Sequence, residues 1–185
     1  MTRFAIAATA AFLTAGAAFA ASHATNPMVG GAPMLPERNI VENAVNSADH
    51  TTLVAAVTAA GLVETLQGEG PFTVFAPTNA AFAALPEGTV EHLLEPGMKD
   101  QLTKVLTCHV VAADAMSKAI MKMVDDDGGV HPVKTVGGCM LNISYKGDKI
   151  MVEDETGAVA NVTIADVDQS NGVIHVIDKV LLPKS

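Results

Sequence analysis

The sequence predicts an α+β domain, on three observations. Helical spacing of apolar residues dominates from Asn39 to about Met123, glycine-punctuated strand patterns take over after Asp125, and no internal repeat divides the chain. With 185 residues, 49% of them hydrophobic and 17% charged, the chain suits one domain with a real core and some extra at its ends.

The elements follow in order. Residues 1–20 carry Arg3, an Ala-rich apolar run from Phe4 to Phe19, and Ala18-Phe19-Ala20, which is the layout of a secretory signal with a small-x-small cleavage site. The run is short and weakly hydrophobic for a membrane span, which needs about 20 residues. Residues 21–38 hold Gly30-Gly31, Pro27, Pro33 and Pro36 without an apolar period, and are expected to form an exposed, flexible lead-in. The domain proper is expected over residues 39–184.

Asn39 is placed to cap a helix from Ile40 to Ala48. A second helix from Thr51 carries Leu53, Val54 and Val57 on one face and ends at Gly61, where a left-handed cap belongs. Leu62–Leu66 reads as a further helical turn. Phe72–Ala76, between Gly70-Pro71 and Pro77, reads as a buried strand. Pro77 disfavours helix just before it, so Thr78 is the natural cap of the short Ala-rich helix that follows.

Thr89–Leu94 predicts one more turn or two. Met98, Leu102, Val105 and Leu106 mark an amphipathic helix running into a strand at His109-Val110-Val111. Asp114 is expected to cap the next helix, with Met116, Ala119, Ile120 and Met123 as its buried stripe. Met140–Tyr145 and Lys149–Val152 flank Lys146-Gly147-Asp148 as a hairpin. Val159–Val167 and Val173–Leu182 are two longer strands joined through Asn171-Gly172. The last is apolar on both faces and is therefore expected inside its sheet.

Composition excludes several functions. Eleven Lys+Arg against 20 Asp+Glu give a net charge of −9. Loss of Arg3 with the signal would leave ten basic residues and −10. That is unsuited to gripping nucleic-acid phosphates or anionic lipid. Phe72, Phe75, Phe82 and Tyr145 are the only aromatic residues after residue 20, too few for base-stacking platforms or an aromatic sugar cleft. No membrane insertion is expected after signal cleavage.

Reaction chemistry is hard to place, so no catalytic residue is assigned. There is no Gly-x-Ser-x-Gly elbow. Cys108 and His109 are adjacent in a strand pattern, which puts their side chains on opposite faces. The six histidines lack metal-ligand pairing, and no metal or cofactor is expected. His109 and His175 read as core histidines hydrogen-bonded to backbone or to Asn79. Asp125–Gly129 and Glu153-Asp154-Glu155 read as solvated acidic loops. Cys108 and Cys139 are the only cysteines. In an oxidising compartment an even count is compatible with one disulfide, closing a loop worth roughly 3–4 kcal/mol, and equally with two buried free thiols.

Three blocks carry a resemblance. Thr73-Val74-Phe75-Ala76-Pro77-Thr78-Asn79-Ala80-Ala81-Phe82 resembles the first signature of fasciclin-like domains. Asn171-Gly172-Val173-Ile174-His175-Val176-Ile177-Asp178 with the following Lys179–Pro183 resembles the second. Between them, Leu102–Val111 resembles the family's Tyr-His segment, with Cys108 at the Tyr position. Their order and spacing match over about Asn39 to Pro183. The resemblance implies a wedge-shaped β-sandwich with helices packed around it, and a non-catalytic role in adhesion or surface and matrix association. On that basis Thr78, Asn79, His109, Asn171, Gly172 and His175 are structural motif residues.

The Tyr-His segment contributes to adhesion surfaces in the family, which makes Cys108 and His109 candidate partner contacts. Asp166-Val167 is a further candidate, because an Asp followed by an aliphatic residue at the matching place belongs to integrin-recognition segments in animal relatives. The expected protein is thus secreted or periplasmic. Its expected partner is a cell-surface or matrix protein or polysaccharide, and weak self-association is compatible with the role. A periplasmic small-ligand or metal-binding protein, or a Cys/His enzyme, are the alternatives.

Overall fold

The computed structural model describes residues 26–184. The expected signal lies outside these residues. The short hairpin Met28–Val29 (β1) and Ala32–Pro33 (β2) opens the described chain. The helices Ile40–Ala44 (α1), Thr51–Ala60 (α2) and Val63–Gln67 (α3) follow. Then come the strand Phe72–Pro77 (β3) and the helices Asn79–Ala83 (α4), Thr89–Leu93 (α5) and Lys99–Thr107 (α6). Val110–Val111 (β4) and the helix Ser117–Asp126 (α7) complete the helical part. His131–Lys134 (β5), Met140–Lys146 (β6), Lys149–Glu153 (β7), Val159–Gln169 (β8) and Gly172–Ile177 (β9) finish the fold.

Local signals explain most boundaries. Asn39 and Glu42 form a reciprocal capping box at the start of α1. The first buried stripe in α2 is Leu53, Ala56, Val57 and Ala60, and Gly61 ends the helix at φ 74°. Thr78 caps α4 by accepting from the Ala81 amide.

The strands form one seven-stranded sheet in the order β4-β3-β9-β8-β7-β6-β5. The mixed α+β class holds. The strands share one continuous ladder, in which β8 is the pivot: Val159–Asn161 pair with β7 and Val162–Gln169 with β9, with register shifts between Val162, Ile164 and Val167. The final strand is interior, as its two apolar faces require, and runs parallel to β3 from Phe72↔Gly172 to Pro77↔Ile177.

Alternation along β3 and β9 feeds two cores. Val74, Ala76, Ile174 and Val176 face the layer built by α1, α2, α3, α4 and α6. Phe75 and Ile177 face a second core of Ile120 and Val124 from α7 with Leu141, Ile143, Ile150 and Val152.

Three expectations are corrected, and one strand is added. The lead-in is packed in part: the β1–β2 hairpin turns Val29, and Met34 just after it, inward until each is about 3% exposed or less, while Met28, Pro36, Glu37 and Arg38 stay exposed. The hairpin is pinned where the Ala48 amide donates to the Gly30 carbonyl. Its apolar residues are too few to show a period, so only the tertiary contacts reveal their role. Asp114 does not cap α7, which starts three residues later. Ala119 is exposed, and the buried stripe is Ile120 and Val124. Finally, β5 was invisible in sequence, because four residues containing Pro132 and two lysine or histidine ends make a poor strand pattern; it pairs only with β6.

Candidate functional site

The three signature blocks converge on the ends of β3 and β9. At one end, Asn171 stitches the β8–β9 turn to two helices. Its Oδ1 accepts from the Ile40 amide at 3.1 Å, and its Nδ2 donates to the carbonyls of Leu66 and Gly68 at 2.8 and 3.0 Å. Gly172 follows at φ 153°, where an added Cβ would lie 2.0 Å from the Phe72 carbonyl oxygen. Only glycine fits that close approach.

At the other end, Asn79 reaches back across the strand-to-helix corner. It accepts from the Thr52 amide at 3.0 Å and donates to the Ala48 carbonyl at 2.9 Å, so it caps α2 rather than touching a histidine. Thr78 and Asn79 thus start two helices from one corner.

Both signature histidines are buried and neutral. His109 Nδ1 meets the Val105 carbonyl at 2.8 Å, and Nε2 accepts from the Leu181 amide at 2.8 Å. The second contact requires an unprotonated Nε2, so the proton sits on Nδ1. Burial is the main cause that holds the His109 pKa down at about 4. His175 stacks on Phe75 with ring centroids 5.8 Å apart. Its Nε2 lies 2.8 Å from the Ala115 carbonyl, and its Nδ1 accepts from the Asp166 amide. Burial lowers its pKa as well. Both histidines are thus core residues bonded to backbone, and neither touches Asn79.

The structure pairs Cys108 with Cys139, Cα atoms 5.4 Å apart, and thereby ties the end of α6 to the start of β6. Cys108 is 1% exposed and His109 2%. Neither can be a partner contact, and a thiol in a disulfide next to a histidine with both nitrogens engaged gives no nucleophile–base pair. Both residues therefore move from the contact surface to the scaffold.

Of Asp166-Val167, only Val167 is corrected in the same way. Val167 is fully buried in the helical-side core. Asp166 is exposed, but it sits in the irregular stretch of β8 at φ 56°. Its two carboxylate oxygens accept from the Ser117 amide and the Ser117 hydroxyl. The bulge turns this carboxylate toward α7, where it fills the capping place expected of Asp114.

One structural residue escaped the sequence reading. Asp154, placed there in a solvated acidic loop, is 4% exposed. Its Oδ1 accepts from Thr156 (amide and hydroxyl) and from the Ala158 amide, and its Oδ2 accepts from the Leu182 amide at 2.8 Å. Asp154-Glu155-Thr156-Gly157 has the composition of an Asx turn, which was the available signal. With His109 on Leu181, Asp154 on Leu182 and Glu155 on Lys184, three side chains clamp the segment after β9. Asp125, Asp126 and Asp127 are paired with Tyr145, Lys122 and His131. Among the described residues no three His, Cys, Asp or Glu side chains are arranged to hold a metal ion, and no helix is long and apolar enough to cross a membrane.

A helical layer over a mixed sheet, with signature blocks at both ends of a parallel β3–β9 pair, defines a class of domain. The sequence matches the fasciclin domain over residues 48–183, and the chain belongs to the fasciclin family. It is 51% identical over 144 residues to the protein sll1483 of Synechocystis sp., covering 78% of this chain and 73% of that one. It is 40% identical over 131 residues to the transforming growth factor-beta-induced protein ig-h3 of Sus scrofa, covering 71% of this chain but 17% of that much longer protein. A solved FAS1 domain pair from the insect cell adhesion molecule Fasciclin I shares the fold. Its TM-score is 0.71 at 16% identity, covering 78% of this chain and 51% of that one.

Proposed function

We propose that this protein is an exported, non-catalytic binding module acting in adhesion or in surface or matrix association. Its proposed partner is a cell-surface or matrix protein or polysaccharide. The observation that carries the reading is where the polar groups of the signatures are engaged. Asn79, Asn171, His109 and His175 all bond backbone groups inside the fold, and both cysteines lie in one bridge. Residues used in this way build a rigid frame that presents a surface. Membership of the fasciclin family, whose fold is shared by a domain pair of a cell adhesion molecule, supports the same reading. Export, to the periplasm or beyond the cell, rests on Arg3, the apolar run and Ala18-Phe19-Ala20. The contact surface excludes Val167, Cys108 and His109, which are buried.

The test is retention of cells of the producing organism, or of their extracted envelope polysaccharide, on beads carrying the purified protein. Saturable retention above that of beads carrying an unrelated protein of equal net charge is expected. Retention equal to that control would overturn the reading. Intact mass of the exported fraction, expected to lack residues 1–20, tests the export.

A further inference from the structure

The helical side of the domain is incompletely filled. Between α1, α2, α3, α6 and β3 lies a cavity of about 310 Å3. Leu53, Val57 and Leu106 form its walls, and it reaches inward to Phe75 and His109. Val45 and Val136 also line it and are 56% and 49% exposed, among the most exposed large apolar residues described. They mark its mouth.

The chemistry of the lining selects the occupant. No charged side chain lines the cavity. The Thr58 hydroxyl donates to the Val54 carbonyl at 2.8 Å and the Thr107 hydroxyl to the Thr103 carbonyl at 2.7 Å. Both nitrogens of His109 are engaged as well. The lining thus offers no spare donor to a polar guest, and water inside would find few of the partners it needs. Thr65 and Gln67, both exposed on α3, are the polar groups left at the rim. The volume stands at the lower end of ligand pockets and holds on the order of ten methylene-sized units, taking ~30 Å3 for each. An acid headgroup would find no cation in the lining and an acidic protein around it.

We propose that this cavity binds one uncharged hydrocarbon chain, its hydroxyl or amide end held at the rim by Thr65 and Gln67. This stands apart from the adhesion reading, because it uses an interior site rather than the outer surface. Burial of the chain replaces contact between water and the apolar lining, the favourable exchange that drives such binding.

The experiment titrates the purified protein with N-phenyl-1-naphthylamine, an uncharged fluorophore, and displaces it with decan-1-ol or sodium decanoate. Saturable one-site fluorescence is expected, displaced by decan-1-ol about tenfold or more better than by decanoate. Val54→Phe, which fills the cavity, and Val45→Glu, which charges its mouth at an exposed position, are each expected to weaken binding about tenfold or more. Val130→Glu, exposed and outside the lining, is expected to bind as wild type. Circular dichroism melts accompany each variant. If Val54→Phe fails to fold, Val45→Glu decides. Unsaturable fluorescence, no displacement by decan-1-ol, equal displacement by decanoate, or wild-type binding by Val45→Glu would overturn the proposal.

Discussion

The Asp166 carboxylate caps α7 by accepting the Ser117 amide at 2.6 Å, from a strand residue with φ 56°. This contact joins the irregular part of β8 to the helix that covers the second core. Asp166→Ala removes the cap and leaves a left-handed backbone on a residue less suited to it. A loss of about 1–2 kcal/mol in urea unfolding is expected. Asp166→Asn, which keeps an acceptor and tolerates the conformation, is expected to lose less than half of that. Equal stability of Asp166→Ala and wild type would show that the cap contributes nothing.

At Gly172 the backbone of β9 passes so close to Phe72 that a side chain has no room. Gly172→Ala is expected to abolish folding or to cost more than about 3 kcal/mol. Asn171→Ala leaves the Ile40 amide and two carbonyls without their side-chain partner, at a cost of about 2–3 kcal/mol. Thermal melts followed by circular dichroism rank the two.

Cys108 and Cys139 enclose a sequence separation of 31 residues. Cys108→Ser/Cys139→Ser is expected to be about 3–4 kcal/mol less stable, with the fold retained because both sites are packed against strands. Intact mass before and after reduction should differ by two hydrogens, and alkylation of the unreduced, denatured protein should label no thiol.

His109 has an ordinary pKa of 6.5 when unfolded and about 4 when folded. The unfolded chain therefore takes up a proton between these values that the native protein refuses. The stabilising contribution is complete above about 6.5 and is lost as pH falls toward 4, on the order of 3 kcal/mol in all. His50 and His175, both shifted downward mainly by burial, act in the same direction. The His109 ring protons in NMR spectra should stay at their neutral positions from pH 7 to about 5. Titration near 6.5 would contradict the buried, neutral ring.

Much of this arrangement was legible in the chain, because local chemistry wrote it. Asn39 and Thr78 announce helix starts, Gly61 a helix stop, and the doubly apolar β9 an interior strand. The missed features depend on contacts between distant segments. Asp166 reads in sequence only as a candidate partner contact, and nothing local announces that its carboxylate also caps a helix through Ser117, on a different element. Val29 and Met34 carry no periodicity, and only the fold shows that both are core residues. Asp154 sits in an acidic run whose composition suggests solvent, while its contacts with three backbone amides close a turn and anchor Leu182. Cys108 and Cys139 offered two outcomes until their separation in space was known.

The pairing of β3 with β9 has a consequence for biosynthesis. The rung that completes the middle of the sheet is the last regular element in the described chain, and its neighbour β3 was made long before. Until Ile177 is available, β3 and β8 face each other across a gap that no earlier segment fills. A nascent or truncated chain stopping before Gly172 should thus stay loose and open to proteases, and the domain should acquire its shape in one late event rather than from either end.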